Sequence, residues 1–153
     1  MFHGHRASAD ALSFSPNGRF LISCFGLDAA RVWSLRDGSS KTLIESFSGM
    51  NITFSPDGRH IACLDLNNQL GIWDARTGHL LDKWKAHVGA AFCLRFSPDG
   101  KGLVSGGGDT GLKYWDVSSL AVMGRDRGQI IDGDPGQRFP LMRSFQGHTV
   151  SNL

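Results

Sequence analysis

Residues 86–118 read AHVGAAFCLRFSPDGKGLVSGGGDTGLKYWDVS and contain the most complete copy of a pattern that recurs along the chain. An alternating run precedes the tetrapeptide SPDG at residues 97–100, and a second β-like run follows it. Pro98 sets φ for the second position of a β-turn and Gly100 tolerates positive φ, so we expect the two runs to form a hairpin. Glycines then lead to a third strand that is expected to end at YWD, residues 114–116.

The same turn and the same tryptophan recur at matched intervals. The turns begin at Ser15, Ser55 and Ser97, and the third strands carry Trp33, Trp73 and Trp115. Both landmarks step by 40 and then 42 residues, which indicates a structural repeat. The pattern resembles the WD repeat, which forms one four-stranded blade of a β-propeller. The resemblance implies an all-β fold, a partial β-propeller of three four-stranded antiparallel WD40 blades plus the start of a fourth.

Four residues of the quoted stretch match the structural tetrad of WD repeats: His87, Ser105, Asp109 and Trp115. The resemblance implies that they form one buried hydrogen-bond chain, in which each group would cost roughly 1–3 kcal/mol if left unpaired. Serine, histidine and aspartate also suggest a hydrolase triad. However, the sequence has no G-x-S-x-G elbow, and Ser105 would lie inside a central strand beyond the reach of a substrate. We therefore predict no catalytic residues.

The repeats divide the chain into blades. The expected units are blade 1 at 3–47, blade 2 at 48–85, blade 3 at 86–146 and the start of a fourth repeat at 147–153. His148 of the last Gly-His pair lies 61 residues after His87, whereas the repeat length is about 41. The excess predicts an insertion at about 119–140, between the third and fourth strands of blade 3. Its glycines, prolines and mixed charges favour a flexible loop.

The first two blades depart from the full tetrad. In blade 1, Asp28 lies one residue closer to its tryptophan than the corresponding aspartate does in blade 3, which leaves the geometry of that tetrad open. In blade 2, Cys63 replaces the hydroxyl residue and Asn67 replaces the aspartate. Only Trp73 remains there, so we expect packing to hold blade 2 together.

Within the WD repeats, the chain is most similar to the Tup-type (Groucho-like) fungal transcriptional corepressors. The similarity lies in residues 58–84, which include IWDARTGHLLDKW, and in residues 102–116, which read GLVSGGGDTGLKYWD. It implies a three-blade fragment of a non-catalytic scaffold that docks DNA-bound repressors and histone tails, in the nucleus rather than the cytoplasm. A scaffold in signalling or in ubiquitin-ligase substrate recognition is the alternative.

Composition and charge exclude several other classes of protein. The net charge is only +2 with no clustered basic stripe, so direct binding of nucleic acid is not expected. The sequence has no apolar run of about 18 residues, so we expect no transmembrane helix. Its first residues lack the apolar core of a secretory signal. Cys24, Cys63 and Cys93 form no C-x-x-C pair. We expect buried, reduced thiols in an intracellular protein, with no metal and no cofactor.

Other proteins are the expected partners. By the topology of the family, the connections between fourth and first strands and between second and third strands share the narrower face of a propeller. The polar candidates for partner contact on that face are Arg6, Asp65, Asn67 and Asn68. Three blades cannot close a ring, since propellers have about four to eight. We therefore expect self-association or further blades to complete it.

Overall fold

A computed structural model of the chain describes residues 11–24, 29–45, 49–65, 67–109, 111–120 and 141–146. The first sheet consists of β1 (Ala11–Phe14), β2 (Phe20–Cys24), β3 (Ala29–Ser34) and β4 (Ser40–Glu45). The second sheet consists of β5 (Gly49–Phe54), β6 (His60–Asp65), β7 (Gln69–Asp74) and β8 (Leu80–Lys85). The third sheet consists of β9 (Ala91–Phe96), β10 (Gly102–Gly107), β11 (Gly111–Asp116) and β12 (Leu141–Gln146).

Each sheet is an antiparallel meander whose spatial order follows the order of the chain. The predicted all-β fold of three four-stranded antiparallel blades is therefore confirmed. The start of a fourth repeat at 147–153 and most of the insertion at 119–140 lie outside the described residues. Within the described residues, no helix is long and apolar enough to cross a membrane.

The turn between the first two strands has the same chemistry in every sheet. Ser97 Oγ donates to Asp99 Oδ1 at 2.5 Å and accepts the backbone N–H of Gly102 at 2.8 Å. Gly100 has a φ of 71°, a conformation that favours glycine. Equivalent serine contacts occur in the other two turns, from Ser15 to Asn17 and from Ser55 to Asp57. The SPDG-type tetrapeptide thus closes each hairpin with its own side chains.

The sheets pack face to face with their first strands side by side. β1 contacts β5, and β5 contacts β9. The backbone N–H of Phe54 donates to Ser13 Oγ at 3.3 Å, and Asn51 Nδ2 donates to the carbonyl oxygen of Phe92 at 3.0 Å. Adjacent first strands are the arrangement expected around the axis of a propeller.

Two apolar cores hold the sheets together, and we refer to them as the first and second joints. The first joint lies between sheets one and two and buries Ile22, Cys24, Ala30, Ile44, Ile52, Ile61, Cys63 and Trp73. The second joint lies between sheets two and three and includes Leu64, Leu70, Ile72, Trp84, Leu94, Leu103 and Trp115. Sheet two therefore buries both faces, which is why every residue of β6 is buried.

Within the part of the chain that the structure describes, no sheet covers the outer faces of sheets one and three. Leu12 of β1 is 59% exposed, whereas the corresponding Ile52 and Leu94 are 1% and 0% exposed. Phe14 is 66% exposed, whereas the corresponding Phe54 and Phe96 are half-buried. On sheet three, Leu112 is 48% exposed. Because one strand pattern gives opposite burial in different sheets, neighbouring sheets rather than the strand itself decide which positions are buried.

Candidate functional site

One continuous hydrogen-bond chain connects the four tetrad residues of the third sheet. Trp115 on β11 donates its indole Nε1–H to Ser105 Oγ on β10 at 2.9 Å. Ser105 Oγ lies 2.8 Å from Nε2 of His87, which precedes β9. Nδ1 of His87 lies 2.8 Å from Oδ1 of Asp109, in the connection after β10. These hydrogen bonds therefore connect β10 and β11 to the segment before β9 and to the loop between β10 and β11.

Donor and acceptor chemistry assigns a direction to this hydrogen-bond chain. The indole N–H of Trp115 can only donate, so the Ser105 oxygen accepts there. Its hydroxyl hydrogen then points to Nε2 of His87, the acceptor nitrogen of a neutral imidazole. Nδ1 of His87 carries the ring proton and donates a hydrogen bond to the carboxylate of Asp109. Each buried polar group has a partner in this arrangement.

Serine, histidine and aspartate here have the connectivity of a hydrolase triad, but burial prevents that chemistry. Ser105 is 0% exposed and His87 is 1% exposed. The Ser105 oxygen also accepts the indole N–H, which occupies the position that a substrate carbonyl would need to approach. The arrangement stabilises the fold and cannot act as a nucleophile in this conformation.

Asp109 is the charged end of the chain. Burial would raise the pKa of its carboxyl group, but the hydrogen bond from His87 and the backbone N–H of Val88 act in the opposite direction. The charge of Lys113 adds to this effect, and the pKa falls to about 2. Nζ of Lys113 lies 3.5 Å from Oδ2 of Asp109. The aspartate is therefore ionised over the whole physiological pH range.

Two further residues support the tetrad and were not recognised from the sequence. Lys113, opposite Ser105 in the β10–β11 register, donates to the carbonyl oxygen of Ala86 beside His87. Gly107 lies directly against the imidazole, since a Cβ atom there would be 2.6 Å from Cγ of His87. The run of glycines at 106–108 was the available signal, because close approach of backbone to a side chain requires glycine.

The other two sheets retain parts of the tetrad. On sheet one, Trp33 donates its indole N–H to Ser23 Oγ at 2.7 Å, so that pair is present. Asp28, whose place in this tetrad the sequence left open, lies outside the described residues. On sheet two, Cys63 is fully buried within the first joint, and burial raises the pKa of its thiol well above the usual range. Cys63 therefore packs as a small apolar residue.

Three of the four candidate partner residues lie at the end of β6 and in the connection to β7. Asp65 is only 6% exposed, which differs from the solvated loop position expected from the sequence. Its Oδ1 accepts the backbone N–H groups of Asn67 and Gln69, and its Oδ2 pairs with Nζ of Lys83 at 2.7 Å. The carboxylate thus holds the loop and bridges it to β8.

Asn68 also makes its contacts within the chain. It has a φ of 61°, and its Oδ1 accepts the backbone N–H of Ala91, which begins the third sheet. Its carbonyl oxygen accepts the N–H of Ala86. The neighbouring Asn67 is exposed, and Arg6 lies outside the described residues. Contact of these four residues with a partner protein stays a prediction, and Asn67 is the described one best placed to make it.

The cysteines differ from one another in burial. Cys24 and Cys63 are buried as expected, but Cys93 is exposed, so the expectation of three buried thiols is wrong. Cys93 lies opposite Gly106 in the β9–β10 register, on the face of sheet three that no other sheet covers. Among the described residues, no group of three His, Cys, Asp or Glu side chains could hold a metal ion.

Comparison with known proteins agrees with the repeat pattern. The family model for the WD40 repeat, described as "WD domain, G-beta repeat", matches residues 1–34 and 78–116. These two segments include the third-strand tryptophans of sheets one and three. They also contain the complete tetrad of sheet three.

Several WD-repeat proteins are similar to the chain. The WD repeat-containing protein 3 homolog of Dictyostelium discoideum is 26% identical over 129 residues, which are 84% of this chain and 14% of that protein. WD repeat-containing protein 3 of Homo sapiens is 30% identical over 119 residues, 74% of this chain and 12% of that protein. THO complex subunit 3 of Arabidopsis thaliana is 25% identical over 163 residues, 78% of this chain and 52% of that protein. The chain therefore spans about an eighth of the first two relatives, and none of the three names identifies a corepressor.

Proposed function

Because the chain is built of WD40 repeats that fold as adjacent blades, we propose that it is a non-catalytic scaffold on which other proteins dock. The observation that carries this proposal is the sealed tetrad. The Ser-His-Asp cluster of sheet three faces inward, where it holds β10, β11 and the adjoining loops in place. The surface available to partners is the set of loops that connect the strands at the rim of the sheets. Such loops, held by a packed scaffold, are suited to recognition by shape.

The finer proposal is that this scaffold belongs to a nuclear transcriptional corepressor that docks DNA-bound repressors and histone tails. Its support is the resemblance of residues 58–84 and 102–116 to the Tup-type proteins. On the narrower face, Asn67 is exposed and could contact a bound segment. A second version, membership in another multi-protein complex, is favoured by the similarity to a protein named as a subunit of the THO complex.

We also propose that further blades cover the two outer faces, either from the same protein or from a second copy of this chain. The exposed Leu12 corresponds to Ile52 and Leu94, which are buried in sheets two and three. Covering such apolar side chains is favourable by about 25 cal/mol per Å² removed from water. Closing the ring would also protect the edges that an open array leaves to solvent.

A serine-reactive probe distinguishes the scaffold from a hydrolase. The purified chain is treated with a fluorescent fluorophosphonate, with Ser105→Ala as the control for the site of reaction. A buried hydroxyl engaged by Trp115 and His87 should remain unlabelled in the native protein. Labelling of the native chain that disappears in Ser105→Ala would refute the non-catalytic assignment.

The corepressor version is tested with N-terminal tail peptides of the core histones and the immobilised chain in biolayer interferometry. Binding should weaken severalfold in Asn67→Ala and remain unchanged in Lys101→Ala, an exposed position on the opposite rim. Failure of every tail to bind would refute the histone part of the proposal. Tail binding that ignores Asn67 would instead show that the narrower face is not the docking surface.

A further inference from the structure

A cleft of about 560 Å³ opens at the first joint, on the rim that carries the turns after β1, β3, β5 and β7. We call it the turn-side cleft. Its apolar lining consists of Phe20, Val32, Phe54 and Ala75, with the rings of Pro16 and Pro56 beside them. The volume falls within the range of about 300–1,000 Å³ that is typical of ligand pockets in proteins. The cleft lies on the face opposite to Asn67 and is separate from the tetrad.

The second joint has the same strands in the same register, yet its corresponding positions are filled. His60 begins β6 as Phe20 begins β2, and His60 is 4% exposed whereas Phe20 is 41% exposed. Val117 follows β11 as Ala75 follows β7, and Val117 is fully buried. Leu120 adds a further buried side chain to the second joint. The cleft therefore results from particular residues at the first joint and is not a general property of joints between these sheets.

Charge also distinguishes the two joints. Lys41 and Arg76 line the turn-side cleft and are exposed. Neither has a carboxylate within 4.0 Å among the ion pairs of the described residues. At the second joint, the position of Lys41 is taken by Asp82, because Val32 pairs with Lys41 and Ile72 pairs with Asp82. The apolar floor of the first joint thus has a cationic margin that the second joint lacks.

The remaining charged group of the cleft is already engaged. Oδ1 of Asp57 accepts hydrogen bonds from Oγ of Ser55, 2.6 Å away, and from the backbone nitrogen of Arg59, 3.0 Å away. These bonds hold the carboxylate in its own turn, so the two cations at the other side of the cleft remain available to a ligand. An occupant that matches the cleft has an apolar group for the floor and a negative charge for Lys41 and Arg76.

We propose that the turn-side cleft docks a short peptide segment of a partner protein in which an apolar side chain is adjacent to an acidic one. The apolar side chain lies between the two proline rings, against Phe20 and Ala75. The acidic side chain pairs with Arg76 and Lys41. The proposal rests on the scaffold function and gives it a second docking site, with a partner chemistry opposite to that of basic histone tails.

A phage-displayed dodecapeptide library tests the proposal on the immobilised full chain. Selected peptides are synthesised, and their dissociation constants are measured by fluorescence anisotropy for wild type, Arg76→Glu, Ala75→Trp, Lys101→Glu and Asn67→Ala. Ala75→Trp fills the cleft, and Arg76→Glu reverses its charge at an exposed position. Lys101→Glu makes the same charge change on the same rim outside the cleft. Circular dichroism and thermal melting establish that each variant is folded.

We expect the enriched peptides to share adjacent apolar and acidic residues. Arg76→Glu should weaken their binding about tenfold or more, and Lys101→Glu should change it less than about twofold. Peptides that bind all variants equally, or that lose binding only in Asn67→Ala, would overturn the cleft proposal while leaving the scaffold function intact. A library that yields no enriched peptide would also overturn it, whereas fluorophosphonate labelling of Ser105 would overturn the scaffold function instead.

Discussion

Replacing Ser105 with alanine should cost far more stability than the loss of a hydroxyl group from a surface serine. Its Oγ accepts the Trp115 indole N–H at 2.9 Å and lies 2.8 Å from Nε2 of His87. All three side chains are at most 2% exposed, so water cannot replace the missing oxygen. An unpaired buried polar group costs about 1–3 kcal/mol, and the substitution creates two of them. We therefore expect the free energy of unfolding to fall by roughly 2–6 kcal/mol.

The measurement is urea denaturation followed by far-ultraviolet circular dichroism. Ser40→Ala is the matched control, because it removes an exposed hydroxyl group from β4 and should change stability by less than about 0.5 kcal/mol. Trp115→Phe is a second variant for the same measurement. Its loss of stability also includes packing, because the rings of Trp115 and Trp84 pack edge to face with their centroids 5.5 Å apart. A double-mutant cycle between Ser105 and Trp115 removes that packing contribution and should show a coupling of about 1 kcal/mol or more.

Two outcomes would refute this reasoning. A loss for Ser105→Ala no larger than that for Ser40→Ala would show that the buried oxygen is not needed by its neighbours. A coupling energy near zero between Ser105 and Trp115 would show that the four residues do not act as a unit.

Three further predictions concern stability and assembly. Gly107→Ala should destabilise the protein by roughly 1–3 kcal/mol because the added methyl group meets the His87 ring. In denaturant titrations, this loss of stability should exceed that of Gly18→Ala, where only the positive φ is unfavourable. The pKa of Asp109 is lowered from its ordinary 3.8 to about 2, so its contribution to stability is present above pH 3.8 and is lost as the pH falls towards 2. The stability difference between wild type and Asp109→Asn, followed across that interval, should therefore shrink with acid, and a constant difference would contradict it. Light scattering after size exclusion should show a dimer or larger species that Phe14→Lys shifts towards monomer, and a monomeric wild type would contradict self-association.

The local elements of this fold could be predicted because their chemistry is local. A serine, a proline, an aspartate or asparagine and a glycine in sequence make a turn whose hydrogen bonds lie within the same few residues, as at 97–102. The regular spacing of this turn and of the tryptophan that follows it then predicted three repeats. The tetrad could be assigned only through the resemblance, since Ser105 and His87 are distant in sequence and meet through the register of β9 and β10.

Residues whose environment depends on elements distant along the chain were harder to predict. Asp65 reads as a polar loop residue, yet it is buried because Lys83 of the next strand pair lies beside it. Cys93 occupies an alternating strand like the other cysteines, yet it is exposed because no sheet covers its face. In both cases the sequence specifies the strand, and a neighbour in space specifies the environment.

The sequence by itself determined the repeat and the hairpin turns, because both depend on spacing and local conformation, and its resemblance to WD repeats supplied the four-stranded sheets and the tetrad residues. Tertiary structure decided which copies of one pattern are buried, as the equivalent positions Leu12 and Leu94 illustrate. It also decided that the first joint is open where the second is filled, because Ala75 and Val117 occupy the same place against different neighbours. Burial is a property of pairs of surfaces, and a single repeat does not contain the surface that will cover it.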